Sequence, residues 1–409
     1  MYTKLLTNLK HKEPMTNWKS YRAENFCLAV TDGTHDSPKP QAEGRYLITS
    51  KHLKPTGIDF SSANKISEED YQKIIQRSKV EQYDILFSMI GTIGNIHRVT
   101  MPTIDFAVKN MGIFKMGGDA DKSLWMYYWL QSPIAKEYIQ SRITGSTQGY
   151  LTLGNLRDFP VSVPPLEEQR RIAGILGAID DKIECNRRIN ANLESQAQAL
   201  YKQWFVDKRR DDWRTYKLND ITLHITDGVH NTVKDSPNGE YYLLSCKNIK
   251  KGTLSIGNNE RRIDADTFAR LRKRTQLAQG DILVTSVGTV GEMFLINESP
   301  MNYEFQRSVA IIKPNQDIVS SYFLYATLLY QQNEIKHLAH GAVQQCIFIS
   351  DLKEYSLLLP NKKEISAFDS VVAPVFEKIT KLQRENIELA ALRDTLLPKL
   401  MNGEIKTDE

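Results

Sequence analysis

From Asp84 the chain reads Asp-Ile-Leu-Phe-Ser-Met-Ile-Gly-Thr-Ile-Gly, ending at Gly94; from Asp281 it reads Asp-Ile-Leu-Val-Thr-Ser-Val-Gly-Thr-Val-Gly, ending at Gly291. An acidic start, an apolar strand-like run and a Gly-Thr-x-Gly turn thus occur twice, 197 residues apart. Thr31-Asp-Gly-Thr-His35 likewise recurs as Thr226-Asp-Gly-Val-His230, a shift of 195 residues. Shifts that agree this closely across half the chain mark two copies of one domain, since a solenoid unit repeats every 20–50 residues or so. Two like domains imply two like targets, or one target with two related halves.

Each copy opens on a short Trp-containing strand (Trp18 to Phe26; Trp213 to Leu223), continues through β-rich, turn-rich sequence and then changes character. After Pro164-Pro165 the apolar positions become helical: Ile172, Leu176, Ile179, Ile183, Asn186, Asn190, Leu193, Ala197, Leu200 and Trp204 follow at alternating steps of four and three. After Pro360 the same seam returns as Phe368, Val372, Val375, Ile379, Leu382, Asn386, Leu389, Arg393, Leu396 and Leu400. This is the a/d spacing of a coiled coil. At about 1.5 Å per residue such a helix is roughly 60 Å long, too long to bury its seam in a small domain, so each helix is the natural mate of the other. A pseudo-twofold arrangement makes the pair antiparallel, with the domains at opposite ends of the rod.

The expected fold is α+β. Two α/β domains stand in tandem repeat, separated by two long helices: residues 1–164, first domain; 165–207, first helix; 208–360, second domain; 361–409, second helix and tail. Helix pairing is expected through Ile172, Leu176, Ile179, Ile183, Asn190 and Leu193 with Val372, Val375, Ile379, Leu382, Asn386 and Leu389. Asn190 and Asn386 at seam positions either select register or mark a wet gap. Pro374 in the second helix, and Gly174 and Gly177 in the first, predict a break or bend, while Pro398 and Gly403 form a stop signal.

With 41% hydrophobic residues the chain can fill a core for each domain. No apolar run of about 18 residues occurs and Met1 to Lys12 is polar, so neither a membrane span nor a signal peptide is expected, and the cytoplasm is the default location. Cys27, Cys185, Cys246 and Cys346 lie far apart without a Cys-x-x-Cys pair, against both a zinc ribbon and a disulfide framework. Net charge is only +4, so basic residues matter only where they cluster. They do so after matching strands, as Lys51, His52 and Lys54 and as Lys247, Lys250 and Lys251. Each cluster is either a solvated loop or a phosphate contact, and its recurrence favours the phosphate.

Chemistry-bearing motifs are sparse. Gly91-Thr-Ile-Gly94 and Gly288-Thr-Val-Gly291 are followed by strand-like sequence, whereas a dinucleotide loop opens a helix, so each reads as a turn between strands. There is no Gly-x-x-x-x-Gly-Lys-Ser/Thr loop and no Asn/Asp-Pro-Pro-aromatic motif for methyl transfer to a flipped base. His337 and His340 lack further metal ligands. His35 and His230 recur beside Asp32 and Asp227 without a matched nucleophile, which suits base reading or turn stabilisation better than catalysis.

Four segments, Pro164-Pro-Leu-Glu-Glu-Gln-Arg-Arg-Ile-Ala-Gly-Ile-Leu176, Ile189-Asn-Ala-Asn-Leu-Glu194, Gln203-Trp-Phe-Val-Asp207 and Leu396-Leu-Pro-Lys-Leu-Met-Asn-Gly-Glu-Ile405, resemble the helical regions of the specificity subunit of type I restriction-modification enzymes. The resemblance covers essentially the whole chain. It implies two target-recognition domains that read a bipartite site in double-stranded DNA, and spacer helices that dock two methyltransferase subunits, with restriction subunits joining them. It also implies a chain with no catalytic residue, cofactor or metal of its own: S-adenosylmethionine, ATP and Mg belong to the partners. Residues carried over as DNA-binding are Thr31, Gly33, His35, Lys51, Gly91, Thr92 and Gln148 in the first copy and Thr226, Gly228, His230, Lys247, Gly288, Thr289 and Gln344 in the second. Trp204 and Phe205 are carried over as partner-docking. The rival readings are a self-sufficient fused restriction-methylation enzyme, whose motifs are missing, and a coiled-coil adaptor whose two domains bind proteins.

Overall fold

A computed structural model of the chain describes residues 9–11, 17–54, 57–145, 149–257, 259–299, 301–341 and 345–407. It divides into two compact units, Met1–Lys182 with Glu388–Glu409, and Ile183–Ile387.

In the first unit, Ile85–Ser88 is buried at all four residues, because both faces of this strand are covered. It lies inside a four-stranded antiparallel sheet in the order Ala29–Asp32, Met111–Lys115, Ile85–Ser88, Ile96–Arg98. Asp84 at the head of that strand is buried against Lys115, with the ammonium 2.5 Å from the carboxylate. A second, three-stranded sheet runs Phe106–Val108, Arg45–Ile48, Asn64–Ile66, its first pair parallel and its second antiparallel. The helix Glu68–Ser78 packs beside this sheet through Tyr71 and Ile74 and is capped by the Ser67 hydroxyl, which accepts the Asp70 N–H. A ribbon of Lys19–Arg22 with Pro160–Val163 closes the domain.

The second unit repeats this plan strand for strand. Its four-stranded sheet runs Thr222–Asp227, Val309–Pro314, Ile282–Thr285, Met293–Leu295, and its three-stranded sheet Arg262–Ile263, Tyr241–Leu244, Tyr303–Phe305. Asp281 meets Lys313 at 2.5 Å, as Asp84 meets Lys115. Asp264 caps the helix Ala265–Thr275 as Ser67 caps its counterpart.

Two long helices, Leu166–Tyr201 and Lys362–Met401, each contribute to both units. In the second unit they are antiparallel: Asn186 meets Asn386, Asn190 reaches the Ile379 carbonyl, and Tyr201 lies against Phe368. In the first unit Arg393 is ion-paired with Asp180 at 2.8 Å, and Asp180 also accepts the Tyr128 hydroxyl at 2.7 Å.

Of the seam residues, Ile172, Leu176, Ile179, Ile183, Val372, Leu382 and Leu389 are buried, and Asn190, Leu193, Val375, Ile379 and Asn386 are half-buried. Next to Val375, Phe376 is the buried residue, stacked on Tyr322 and edge-on to Tyr325. Here the second helix packs on its own domain, so the heptad count stops describing it. The expected break is absent: Lys362–Met401 is continuous through Pro374, and Leu166–Tyr201 through Gly174 and Gly177. Proline forfeits one main-chain bond, and burial of Val372 and Phe376 on either side of it offsets that loss. Pro398 also sits inside the helix, and Gly403 alone ends it: at φ 66° it lets Glu404 N–H reach the Lys399 carbonyl at 2.9 Å, a Schellman closure. The tail Ile405–Thr407 then pairs antiparallel with Leu9–His11.

Candidate nucleic-acid interface

Three loops of each copy carry most of the residues singled out from the sequence. The first leaves the strand that ends at Asp32 or Asp227. Gly33 and Gly228 are required there because a Cβ would lie 2.3 Å from the Val108 carbonyl oxygen and 2.1 Å from that of Phe305, respectively. Both glycines are therefore buried, and Thr31 and Thr226 are strand residues paired with Ile113 and Ile311. Only His35 and His230 of these six residues are exposed. Each is held by the aspartate three positions earlier, His35 Nε2 at 3.0 Å from Asp32 and His230 Nε2 at 2.7 Å from Asp227. His35 Nδ1 also meets Asn110 Oδ1 at 2.8 Å.

Sequence reading missed the braces behind these turns. Arg77 donates to Asp32 at 3.0 Å and to the Gly33 carbonyl at 2.8 Å, and Arg274 donates to the Asp227 carbonyl at 2.7 Å. The two arginines stand 197 residues apart, the same shift as the Asp84 motif, and that recurrence was the available signal.

The second loop is a single helical turn, Ser50–His52 or Cys246–Asn248. Thr49 N–H donates to His52 Nδ1 at 2.9 Å, and His52 Nε2 lies 3.2 Å from the Ser62 carbonyl. In the second copy Ser245 N–H donates to Asn248 Oδ1 and Asn248 Nδ2 donates to the Ser255 carbonyl, both at 2.9 Å. The turn holds Lys51 or Lys247 at the surface. Lys247 is ion-paired with Glu260 at 3.0 Å. Lys51 lines a recess of about 410 Å³ together with Lys39, Lys109 and Asn64.

The third loop is the glycine turn. Gly91 and Gly94 have φ of 79° and 88°, and Gly288 and Gly291 of 79° and 80°, the left-handed region that glycine enters without steric cost. Each turn links antiparallel strands, with Ser88 Oγ or Thr285 Oγ1 donating across it to the carbonyl of Thr92 or Thr289. Thr92 and Thr289 are exposed. Thr289 Oγ1 donates to the Cys246 carbonyl at 3.4 Å, joining the third loop to the second. Gln148 and Gln344 lie outside the described residues; the bridges Ile90 to Tyr150 and Val287 to Cys346 bring the residues beside them to the glycine turn.

Charge differs between the copies. Ala265–Thr275 carries Arg270, Arg272, Lys273 and Arg274, whereas the first turn of Glu68–Ser78 carries Glu68, Glu69 and Asp70. Burial holds the imidazoles of His52 and His97 below the ordinary histidine range, His97 at about 4. Among the described residues no group of three or more His, Cys, Asp or Glu is placed to hold a metal ion, and His340 is bound to Asp351 at 3.1 Å. No described helix is long and apolar enough to cross a membrane.

Trp204 and Phe205 fall where the first long helix widens, Asp207 N–H reaching back five residues to the Lys202 carbonyl at 2.9 Å. Phe205 is buried among Tyr201, Phe323 and Phe368, and Trp204 is half-buried on Phe368. Phe205 thus serves the core of the second unit instead of offering a docking face, because the widened turn points it into the aromatic cluster.

The family model described as the type I restriction modification DNA specificity domain matches twice, over residues 39–195 and 210–390. The chain belongs to the type I restriction-modification specificity subunits. Within that family it is 26% identical over 310 residues, 71% of each chain, to the type I restriction enzyme MjaIX specificity subunit of Methanocaldococcus jannaschii. It is 24% identical to the putative MjaX specificity subunit of the same organism, over 95% of this chain and 94% of that one. The fold also matches the crystal structure of a type I restriction-modification S subunit from M. genitalium, with TM-score 0.53 at 16% identity, covering 96% of this chain and 97% of that one.

Proposed function

We propose that this specificity subunit reads a bipartite site in double-stranded DNA, one half-site per copy, through the three loops described above. The recurrence of those loops carries the reading: each copy sets an exposed histidine, an exposed lysine and an exposed threonine turn on a braced β-scaffold. Lysines on such loops suit phosphate contact and polar side chains suit base edges. His35, Lys51, Thr92, His230, Lys247 and Thr289 are the contact residues on this reading, and Gln148 and Gln344 are counted with them from the sequence alone. Gly33, Gly228, Thr31 and Thr226 shape the loops, and Gly91 and Gly288 let the turn backbone approach the duplex.

The chain itself is non-catalytic on this reading. It docks two methyltransferase subunits and the restriction subunits in the cytoplasm, and S-adenosylmethionine, ATP and Mg act on those partners. The test is selection of bound duplexes from a random pool by the full chain, followed by His230→Ala and His35→Ala. A two-part consensus is expected, with each variant degrading one part. A chain without sequence-dependent affinity for DNA is a protein adaptor, and a variant that degrades both parts equally refutes two independent readers.

A further inference from the structure

Between the three loops of the second copy lies a residue that the sequence motifs do not include. Arg307 N–H donates to the Val229 carbonyl at 3.0 Å, beside His230 on the first loop. Its own carbonyl accepts from Ser286 Oγ at 3.3 Å, at the foot of the glycine turn. Its neighbour Ser308 accepts the Cys246 N–H at 3.0 Å, beside Lys247 on the second loop. The backbone of Arg307 is thus clamped where all three loops meet.

The side chain is treated differently. It is exposed, and no hydrogen bond or ion pair engages it among the described residues. The other polar side chains at these loops are already engaged: His230 with Asp227, Lys247 with Glu260, Arg274 with the Asp227 carbonyl. The matching place in the first copy holds no unengaged cation among the described residues. There the matching backbone bond, to the Thr34 carbonyl, is made by Asn110, whose side chain is tied to His35, and the preceding Lys109 is tied to Ser37. The second copy is one residue longer at this junction, Gln306-Arg307-Ser308 against Lys109-Asn110.

A planar five-donor fork on a rigid backbone, left without an internal partner, fits the O6/N7 edge of guanine in the major groove. A mobile lysine-like phosphate contact needs no such clamp. We infer that Arg307 reads one guanine in the half-site bound by the second copy. This rests on the DNA-reading function proposed above and adds a base and a residue to it.

The experiment is selection from a pool of randomised duplexes by the full chain, unaltered and as Arg307→Ala and Arg307→Gln. For both variants the preference for guanine at one position of one half-site should fall roughly 5- to 150-fold, with every other position retained. Thermal unfolding should match the unaltered chain, since both variants keep the backbone bonds of Arg307 and its side chain engages none of the described residues. A guanine consensus unchanged in both variants, with affinity lowered equally for all sequences, overturns the inference and makes Arg307 a phosphate contact. If the unaltered chain selects no sequence at all, the DNA-reading function fails, and this inference with it.

Discussion

In the first copy the turn that carries Lys51 is closed by His52; in the second the same turn, carrying Lys247, is closed by Asn248. The two side chains accept and donate at matching atoms, yet only the histidine can take up a proton, and burial holds that uptake below the ordinary histidine range. One strand away, His97 of the first copy stands where the second has Phe294, at matching positions of the strand pairs. The His97 Nε2 atom is buried without a hydrogen-bond partner among the described residues. The lesson is that the repeat preserves backbone geometry and main-chain hydrogen bonding, and leaves side-chain chemistry free to diverge wherever two residue types can fill one geometric role.

The feature the copies share most closely should give the largest and most even effect. Lys115→Ala strands a carboxylate on Asp84 whose side chain is 1% exposed, and Lys313→Ala does the same to Asp281 at 7%. Each should cost its own domain about 3–5 kcal/mol, read as lost amide-exchange protection confined to that domain. Equal losses in both domains from either variant would break the picture of two separately stable copies.

Acid should separate the copies next. An unfolded chain protonates His97 below about pH 6.5, whereas the folded ring stays neutral down to about 4. The stability that His97 leaves intact at neutral pH is therefore lost as the pH falls from about 6.5 towards 4, up to about 3 kcal/mol, and His52, held low in the same direction, adds to the loss. Exchange protection of the first domain at pH 4.5 should rise when His97→Phe installs the residue of the second copy. No change in acid sensitivity would mean that the ring is hydrated.

The arginine braces differ in degree. Arg77 binds a carboxylate and a carbonyl, and Arg274 a carbonyl alone, so Arg77→Ala should cost about 1.5–3 kcal/mol and Arg274→Ala about 1 kcal/mol, measured by chemical denaturation. An equal cost would show that the Asp32 contact contributes nothing. The smallest effect on folding belongs to Lys247→Ala: its pair with Glu260 leaves the lysine 63% exposed, and stability should move by less than about 1 kcal/mol. The slope of log affinity for DNA against log salt should nevertheless flatten by about one in Lys247→Ala and in Lys51→Ala alike. An unchanged slope removes the lysines from the phosphate contacts.

Much of this was legible in the residues. The Asp84 and Asp281 runs marked a strand followed by a glycine turn, and the four-three spacing from Ile172 and from Phe368 marked the two long helices. Local periodicity carries such features, because a buried strand or seam repeats its apolar positions. Arg307 was not legible, since a lone arginine shows its place only once strands distant in sequence are brought side by side; Arg77 and Arg274 left their 197-residue spacing as a signal, but not the groups they bind. The burial of Phe205, and of Phe376 beside the seam position Val375, was hidden for a related reason: a helix that turns from its partner helix onto a globular core keeps an apolar spacing but changes the face it buries. Nor does any sequence rule equate His52 with Asn248, whose likeness lies in where two atoms sit.

The widened turn at Lys202–Val206 makes chain length count in an unusual way. Four residues of ordinary helix advance about 400°, some 40° past a full revolution, and the extra residue held in the wide turn takes up that excess. Tyr201 and Phe205 can then both meet Phe323 and Phe368. Deleting one residue here would restore regular helical bonding and improve the local main chain, while swinging Phe205 about 100° out of the cluster. The joint thus behaves as a phase adjuster between rod and domain, at which a shorter, more regular chain folds worse than the irregular one.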